Sequence, residues 1–559
     1  MDSLYLAAID VGSNAVRFAA AELRKGEPPR LLDTQRIPLR LGTDAFASGT
    51  LGAETLDAAV EALRTLRRRM DTLGVVRYRA VATSALRECG NAPELIDRVA
   101  REAGVRLEVI ASEEEARLGW RAMREGIRPG AKPWLVADLG GGSLEVTLYG
   151  KDGALWNSSG PYGSVRLLRD FPPQSLDIEA LRERLAPMRE EVRAAVEEAS
   201  PVAGLLAAGG SIEVLADLCE AEPDERGARI LPLADLRAMI ERLAGLTVDE
   251  RVTQLGLTPD RADVILHGAV TYESVAAAAG LEALHVPGVG VRDGLLLDQW
   301  DTAAARRAEA SPTRVVFLSD IHGNALALRA AIEESDRLGA GRILAAGDYV
   351  GEGPHPCQVV RMLRNEGIPS IRGNVDRKIL RLAGKKRKKL LKRLEKVRRA
   401  SLNRIWTALT LHTEGKDEME WLHALPAERR LEVGKTRVLV VHGSPLADND
   451  RIFSSLTADA LARKLEPTRG PRPDLLICGH THAPFVATVD GVLVANCGSA
   501  GRPADGDPRG SLVLAELGES PPRAEIVRFA YPVDALAADL AGMEVPGLDA
   551  GQYREGIKA

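Results

Sequence analysis

YLAAIDVGSNAVRFAAAEL (residues 5–23) runs along an apolar strand to an Asp, through a Gly-Ser-Asn turn, and out along a second apolar strand. WLVADLGGGSLEVTLYG (134–150) repeats that design further along the chain. A strand–turn–strand with glycine at the turn predicts a hairpin, and two hairpins of matched design predict two related lobes facing each other. A third Gly/Ser turn, LLAAGGS (205–211), follows another strand. The intervals, such as ETLDAAVEALRTLRRRM (54–70) and DIEALRERLAPMREEVRAAVEEA (177–199), carry apolar residues at i, i+3 and i+4 and predict helices.

The turns expose backbone N–H groups of the kind that cradle phosphate oxygens, and glycine permits close approach. The acids that lead into them, Asp10 and Asp138, cannot bind phosphate directly and suit a divalent ion or its waters. A single such turn is ordinarily a plain hairpin; two, each led by an Asp, suit a polyanion gripped between lobes. Between them lies IASEEEARLGW (110–120), whose three glutamates open a helical pattern. Acids there favour the helix dipole, and a glutamate facing the cradles is fit to orient or deprotonate an attacking water.

The second half alternates differently. Strands VVFLSD, RILAAGD, SIRGN, VLVVHG and DLLICGH end in Asp, Asn or His beside glycine, and open α/β sheets place their sites at the carboxyl ends of strands. The resulting set is Asp320, His322, Asp348, Asn374, His442, His480 and His482. The D-x-H and H-x-H spacings send both side chains to one side of an extended segment. Four of the chain's nine histidines sit in these slots. Imidazole and carboxylate are ligands for divalent transition metals, and manganese, iron, nickel and zinc all remain open.

The 559 residues predict three or four domains. Lys+Arg 74 against Asp+Glu 79 leaves a net charge of -5, which excludes a globally basic nucleic-acid coat. Five scattered cysteines (Cys89, Cys219, Cys357, Cys478, Cys497) without CxxC spacing argue against a disulfide framework and for a reducing, cytoplasmic setting. No apolar run is long enough to span a bilayer, so no membrane partner is expected. QWDTAAARRAEASPT (299–313) loses strand periodicity and reads as a linker. Residues 377–399, RKILRLAGKKRKKLLKRLEKVRR, hold thirteen Lys/Arg and one Glu with apolar residues at helical spacing. They read as a basic amphipathic helix beside the metal slots: a solvated face or a funnel for polyanions, with nucleic acid a candidate partner.

The blocks AAIDVGSNAVRF, VATSALRECGN (81–91), VIASEEEARLGW, LVADLGGGSLEV, YGSVRLL (162–168), LAAGGS and VGVRDGLLLD (289–298) together resemble the exopolyphosphatase/guanosine pentaphosphate phosphatase (Ppx/GppA) family over about residues 5–300. The resemblance implies the two-lobed actin-like (ribonuclease H-like) ATPase fold. It makes Glu114, ahead of its neighbour Glu115, the base that activates water, and Asp138 and Glu145 the magnesium- and water-positioning acids. Gly12, Ser13, Asn14, Arg87, Gly141, Gly142 and Ser143 become the phosphate contacts, with Mg2+ beside Asp10 and Asp138. Polyphosphate and pppGpp are the implied substrates. Longer members carry a helical C-terminal region for long polymers, which this chain replaces with its second half.

SDIHGNALAL, AAGDYVGEGPHP, IRGNVD, WLHALP, VVHGSP and ICGHTHAPF resemble the calcineurin-like metallophosphoesterases over about 313–530, in their small bacterial and archaeal phosphodiesterase branch. A four-layer α/β/β/α sandwich with two divalent ions is implied. One ion would be held by Asp320, His322 and His482, the other by Asn374, His442 and His480, with Asp348 between. Val375 stands where many members carry a proton-donating His, which favours diesters over monoesters. The resulting expectation is an α/β multidomain protein. Its parts are lobe I (1–130), lobe II (131–300), a linker (301–312), the metal domain (313–530, with the 377–399 insertion) and a tail (531–559). It would be a two-headed phosphate-ester hydrolase; a non-catalytic alarmone or polyphosphate sensor regulating one metallophosphoesterase is the alternative, a nuclease led by the basic helix the third. The Ala- and Leu-rich helices admit a homodimer.

Overall fold

The computed structural model describes residues 3–124, 132–151, 153–199, 201–383, 399–466, 470–518, 521–543 and 550–556. Most of the basic run, 384–398, lies outside them.

The first half is one topology built twice. In lobe I the strands β1 (Ser3–Val11), β2 (Ala15–Arg24), β3 (Arg30–Pro38), β4 (Arg77–Ala82) and β5 (Leu107–Val109) form a sheet ordered β3-β2-β1-β4-β5. Lobe II has β6 (Trp134–Leu139), β7 (Leu144–Gly150), β8 (Gly153–Gly160), β9 (Leu205–Ala208), β10 (Arg229–Pro232) and β11 (Ala283–Val286), ordered β10-β11-β9-β6-β7-β8. Read outward from β1 or β6, both sheets have two antiparallel neighbours on one side and two parallel neighbours on the other. Even the turns coincide: Gly12 N–H donates to Ala15 O (3.1 Å) and Gly140 N–H to Ser143 O (3.0 Å). Register sets Asp10 opposite Arg17 and Asp138 opposite Glu145. The hairpins meet so closely that a Cβ on Gly141 would lie 2.9 Å from Ser13 Cβ, and one on Gly142 2.3 Å from Ser84 Oγ. Glycine is required at both by the approach of the lobes, with no unusual φ.

The stretch expected as a linker is mostly helix. Helix Val291–Glu309 buries Val291, Leu295 and Leu296 against Leu4, Leu6 and Ala21 of lobe I, and Ser311 opens the next strand. The Ala-rich composition that broke the strand pattern is what favours helix.

The second half is a sandwich. One sheet, β13-β12-β19-β20, comprises β12 (Ser311–Leu318), β13 (Ala340–Ala345), β19 (Gly510–Glu516) and β20 (Arg523–Phe529). The other, β14-β15-β16-β18-β17, comprises β14 (Glu428–Val433), β15 (Thr436–Val441), β16 (Leu475–Cys478), β17 (Phe485–Val489) and β18 (Val492–Asn496). Val315, Phe317, Val440, Ile477 and Val513 fill the space between them. Helices such as Ala325–Arg337 and Pro356–Asn365 cover the first sheet, and Ala458–Leu465 covers the second, giving four layers. The residues expected as a tail contribute helices Val533–Met543 and Ala550–Glu555, whose Leu536, Leu540 and Tyr553 are buried in the outer core of this sandwich. No helix among the described residues is long and apolar enough to cross a membrane.

The sandwich docks on lobe I through buried charge. Arg67 of helix Ala53–Leu73 is fully buried and bonds Asp71 (2.6 Å) and Asp539 (2.5 Å). Asp71 also accepts from Arg329 (2.5 Å), and Asp539 pairs with His355 (3.1 Å). Arg77 binds both Asp336 and Glu366. Although burial opposes it, Arg67 and Arg329 hold Asp71 below its ordinary pKa. Removing one member of such a network strands its partners uncompensated. Arg67→Met is therefore expected to destabilise the chain by roughly 3–5 kcal/mol in urea denaturation, with Arg67→Met/Asp539→Leu costing less than the sum of the single changes.

Candidate active sites

Where the two hairpins face each other they enclose a cavity of about 100 Å³. Asp10, Gly12, Ser13 and Asn14 line it from lobe I, Asp138, Gly140 and Gly141 from lobe II, and Gly209, Gly210 and Ser211 from the third Gly/Ser turn. Gly142, Ser143, Glu145 and Arg87, expected at the same surface, are not in this lining. Gly142 is wedged against Ser84 and Phe46, and Ser143 and Glu145 are buried.

Glu114, expected as the base, is not in this lining either. On helix Ser112–Met123 consecutive side chains diverge by roughly 100°, so Glu114 and Glu115 face different ways. Glu114 bonds Arg79 (3.0 Å) and Arg117 (2.7 Å) and lines a separate cleft between lobe I and the sandwich. The Arg117 hydrogen bond, with Arg79 adding to it, holds its carboxyl below the ordinary range. Glu115 is the one that lines the cavity. Burial, reinforced by Glu145 and opposed by Arg87, raises its pKa well above the usual value. Arg87 lies behind it, donating to Glu115 Oε2 (2.8 Å) and Ile110 O (2.9 Å), and so supports the glutamate.

Burial pushes Asp138 up to about 7, with Glu145 adding to the rise and Arg17 opposing it, and burial raises Asp10 and Glu145 too. Among the described residues no three of these acids bring ligand atoms within 4.8 Å of one another. A cation here would therefore draw its remaining ligands from substrate or water. Two guanidinium groups not singled out by any sequence motif, Arg17 and Arg261, also line the cavity, as does Arg36, which pairs with Asp260. The signal for Arg17 was available: it is the residue opposite Asp10 in the first hairpin.

In the sandwich all seven expected ligands come together. Asp320, His322 and His482 form one cluster, and Asp348, His442 and His480 a second, each with ligand atoms within 4.8 Å. Asp348 Oδ2 lies 3.2 Å from His442 Nε2 and 4.0 Å from His322 Nε2, so it stands between the clusters. Asn374 Nδ2 lies 2.8 Å from His480 Nδ1 and 3.1 Å from His442 Nε2. The strands β12, β13, β15 and β16 lead at their carboxyl ends into all of these residues but Asn374, which opens a helix. Asp320, His322, Asp348, His480 and His482 have φ between 52° and 66°, five of the seven non-glycine residues with positive φ among those described. Such a backbone is unfavourable and persists only where its surroundings hold it.

Asp376, within IRGNVD, does that holding for Asp348. Its carboxylate accepts from the N–H groups of Asp348 (2.9 Å), Tyr349 (3.0 Å) and Gly373 (2.9 Å). His442 Nδ1 is tied to Ala346 O and His482 Nδ1 to Arg502 O, which turns each Nε2 into the cluster.

The donor set fits divalent cations. Imidazole Nε2 atoms of His322 and His482 face each other at 3.1 Å, and both approach Asp320 Oδ1, which is buried without a hydrogen-bond partner. Lone pairs converging on an unpartnered carboxylate oxygen are what a metal ion satisfies.

Residues 21–303, half of the chain, match the Ppx/GppA phosphatase family. The chain belongs to that family. Residues 314–520 match the calcineurin-like phosphoesterase superfamily domain. Exopolyphosphatase 1 of Mycobacterium tuberculosis (strain ATCC 25618 / H37Rv) is 29% identical over 344 residues, spanning 60% of this chain and 98% of that protein. Exopolyphosphatase 2 of the same organism is 32% identical over 317 residues, 52% of this chain and 97% of the relative. An exopolyphosphatase crystal structure from Cytophaga hutchinsonii, 24% identical, covers 53% of this chain and 98% of its own with a TM-score of 0.50, a likeness of fold. The Ppx/GppA half thus spans nearly the whole of these relatives, and the calcineurin-like half is additional.

The raised Asp138 makes the Ppx/GppA half sensitive to alkali. Between its unfolded value near 3.8 and its folded value of about 7, the native state keeps a proton that the unfolded chain has lost. Its stabilising contribution is therefore present at low pH and lost as pH rises through 7. Metal-free protein should melt at a lower temperature at pH 8 than at pH 6 in scanning calorimetry, and Asp138→Asn should flatten that difference.

Proposed function

We propose that the chain is a two-headed hydrolase. The Ppx/GppA half cleaves terminal phosphoanhydrides of polyphosphate or pppGpp, and the calcineurin-like half hydrolyses phosphoric esters, diesters foremost. The observation that carries the first activity is Glu115, a half-buried carboxyl with a raised pKa that lines the cavity between the facing glycine turns. A base is most effective when its pKa approaches the working pH, and Glu114, held low by two arginines, lacks that property. The N–H groups of both turns and the guanidinium groups of Arg17 and Arg261 are suited to the phosphate chain, and Asp10 and Asp138 to a magnesium ion accompanying it.

In the calcineurin-like half Asp320, His322 and His482 would hold one divalent ion and Asn374, His442 and His480 the other, with Asp348 shared. When bound, such a pair supplies Lewis-acid clamping of an in-line displacement at phosphorus. The chain's own part is to fix those side chains through Asp376 and the Ala346 and Arg502 carbonyls. Val375, 8% exposed and apolar, offers the leaving group no proton, in keeping with diesters whose alcohol departs readily.

One observation favours regulation between the halves as a second reading. Gly353 N–H donates to the carbonyl of His322, and two residues on, His355 pairs with Asp539, itself bonded to Arg67 of lobe I. Under this reading pppGpp binds without turnover and changes diester hydrolysis.

Glu115→Gln should lower phosphate release from tripolyphosphate or pppGpp by about 10²–10⁴-fold and leave bis-p-nitrophenyl phosphate hydrolysis intact, while Glu114→Gln costs far less. Asp348→Asn should do the reverse, losing more than the roughly 10–100-fold typical of outer partners of metal ligands. Measuring both reactions on each full-length variant decides the assignment; loss of both from either single change would refute independent heads.

A further inference from the structure

The basic run that begins at residue 377 starts against the calcineurin-like site. Helix Asn374–Ala383 opens with a candidate ligand, and positions three and four residues on return to the same face. Arg377 is occupied there, its guanidinium forked onto Asp448 at 2.6 and 2.6 Å. Lys378 is not. Its ammonium donates to Asn374 Oδ1 at 2.8 Å, and among the described residues it has no carboxylate within ion-pair distance. Half-buried, it stands at the edge of a cluster of two carboxylates and four imidazoles, bonded to the one oxygen through which Asn374 could hold a cation.

The chemistry of an amide then forces a choice. Asn374 has one acceptor atom and one two-proton donor. Its nitrogen faces Asp348, His442 and His480, and its oxygen faces Lys378. A cation in the second cluster requires the oxygen instead, and turning the amide points N–H at the ammonium, donor against donor. Lys378 loses its acceptor while keeping its place. The neighbouring side chain that could have met a substrate, Val375, is apolar and packed into the core.

We propose that Lys378 is the phosphate-binding residue of this centre. Released from Asn374, it takes a non-bridging oxygen of the phosphoester, the charged contact that Val375 cannot make. The inference rests on the dinuclear reading above and adds the residue that recognises the anion. It also gives the start of the basic run a specific task apart from general attraction of polyanions.

The test compares full-length wild type, Lys378→Met and Lys378→Arg, with Asp348→Asn as blank. Inorganic phosphate is titrated against Mn2+-loaded protein by 31P relaxation, which reads phosphate close to the paramagnetic ion. Subtracting the blank removes phosphate bound in the Ppx/GppA cleft. Lys378→Met should weaken phosphate about tenfold or more, equivalent to roughly 1.4 kcal/mol, and Lys378→Arg should restore most of it. Calorimetric Mn2+ binding to metal-free Lys378→Met should be unchanged or tighter, because a competitor for the Asn374 oxygen is gone. Weaker Mn2+ binding would make the lysine a prop for Asn374 and overturn the proposal, as would unchanged phosphate affinity. If wild type binds Mn2+ yet hydrolyses no diester, the phosphoesterase reading falls while the phosphate titration still decides Lys378.

Discussion

A carboxylate taken out of water must be answered by charge or by hydrogen-bond donors, or it will hold its proton. This chain buries many, and the kind of answer each receives separates structure from chemistry. Asp71 and Asp539, at the junction of lobe I and the sandwich, are met by Arg67, Arg329 and His355 and stay ionised below the ordinary range. Asp10, Glu115, Asp138 and Glu145 are crowded together with too few cations, and all four are raised. Raised acids in and beside a cleft wall, here Asp10, Glu115 and Asp138 in the lining with Glu145 outside it, are the mark of a site built for something that arrives from outside.

The calcineurin-like site applies the same rule with geometry in place of pKa. Its ligands occupy backbone conformations that cost energy; Asp376 stabilises that of Asp348 by gathering N–H groups from two loops, and Asp320 Oδ2 accepts the N–H of His480. The strain lies in D-x-H, G-D and G-H-x-H turns at strand ends, where the parallel strand pairs β12–β13 and β15–β16 bring distant segments to one place.

Much of this was legible in the sequence. Hairpin repeats are local, so the facing lobes and the turns of Gly12 and Gly141 could be read directly, and ligands with fixed spacing at strand ends announced the second centre. What could not be read was rotation about a helix axis. A run of three glutamates gives no phase, so Glu114 and Glu115 were indistinguishable until the helix was seated against β6 and β7. Sequence also shows the charge of Arg87 without its partner, which is Glu115. The 301–312 stretch and the last residues are hard to read for a related reason: Ala-rich, weakly patterned segments declare their helicity poorly and their burial not at all.

The helix Val291–Glu309 begins in the wall of the Ppx/GppA cavity and ends where β12 is about to start, the strand that leads to Asp320. Nineteen residues of helix make a stiff rod of roughly 28 Å. Adding or deleting one residue within it would swing everything downstream by roughly 100° and tear Asp539 from Arg67. The spacing between the two chemistries is thereby quantised: once fused in this phase, the halves could drift in sequence but not in the length of their joint.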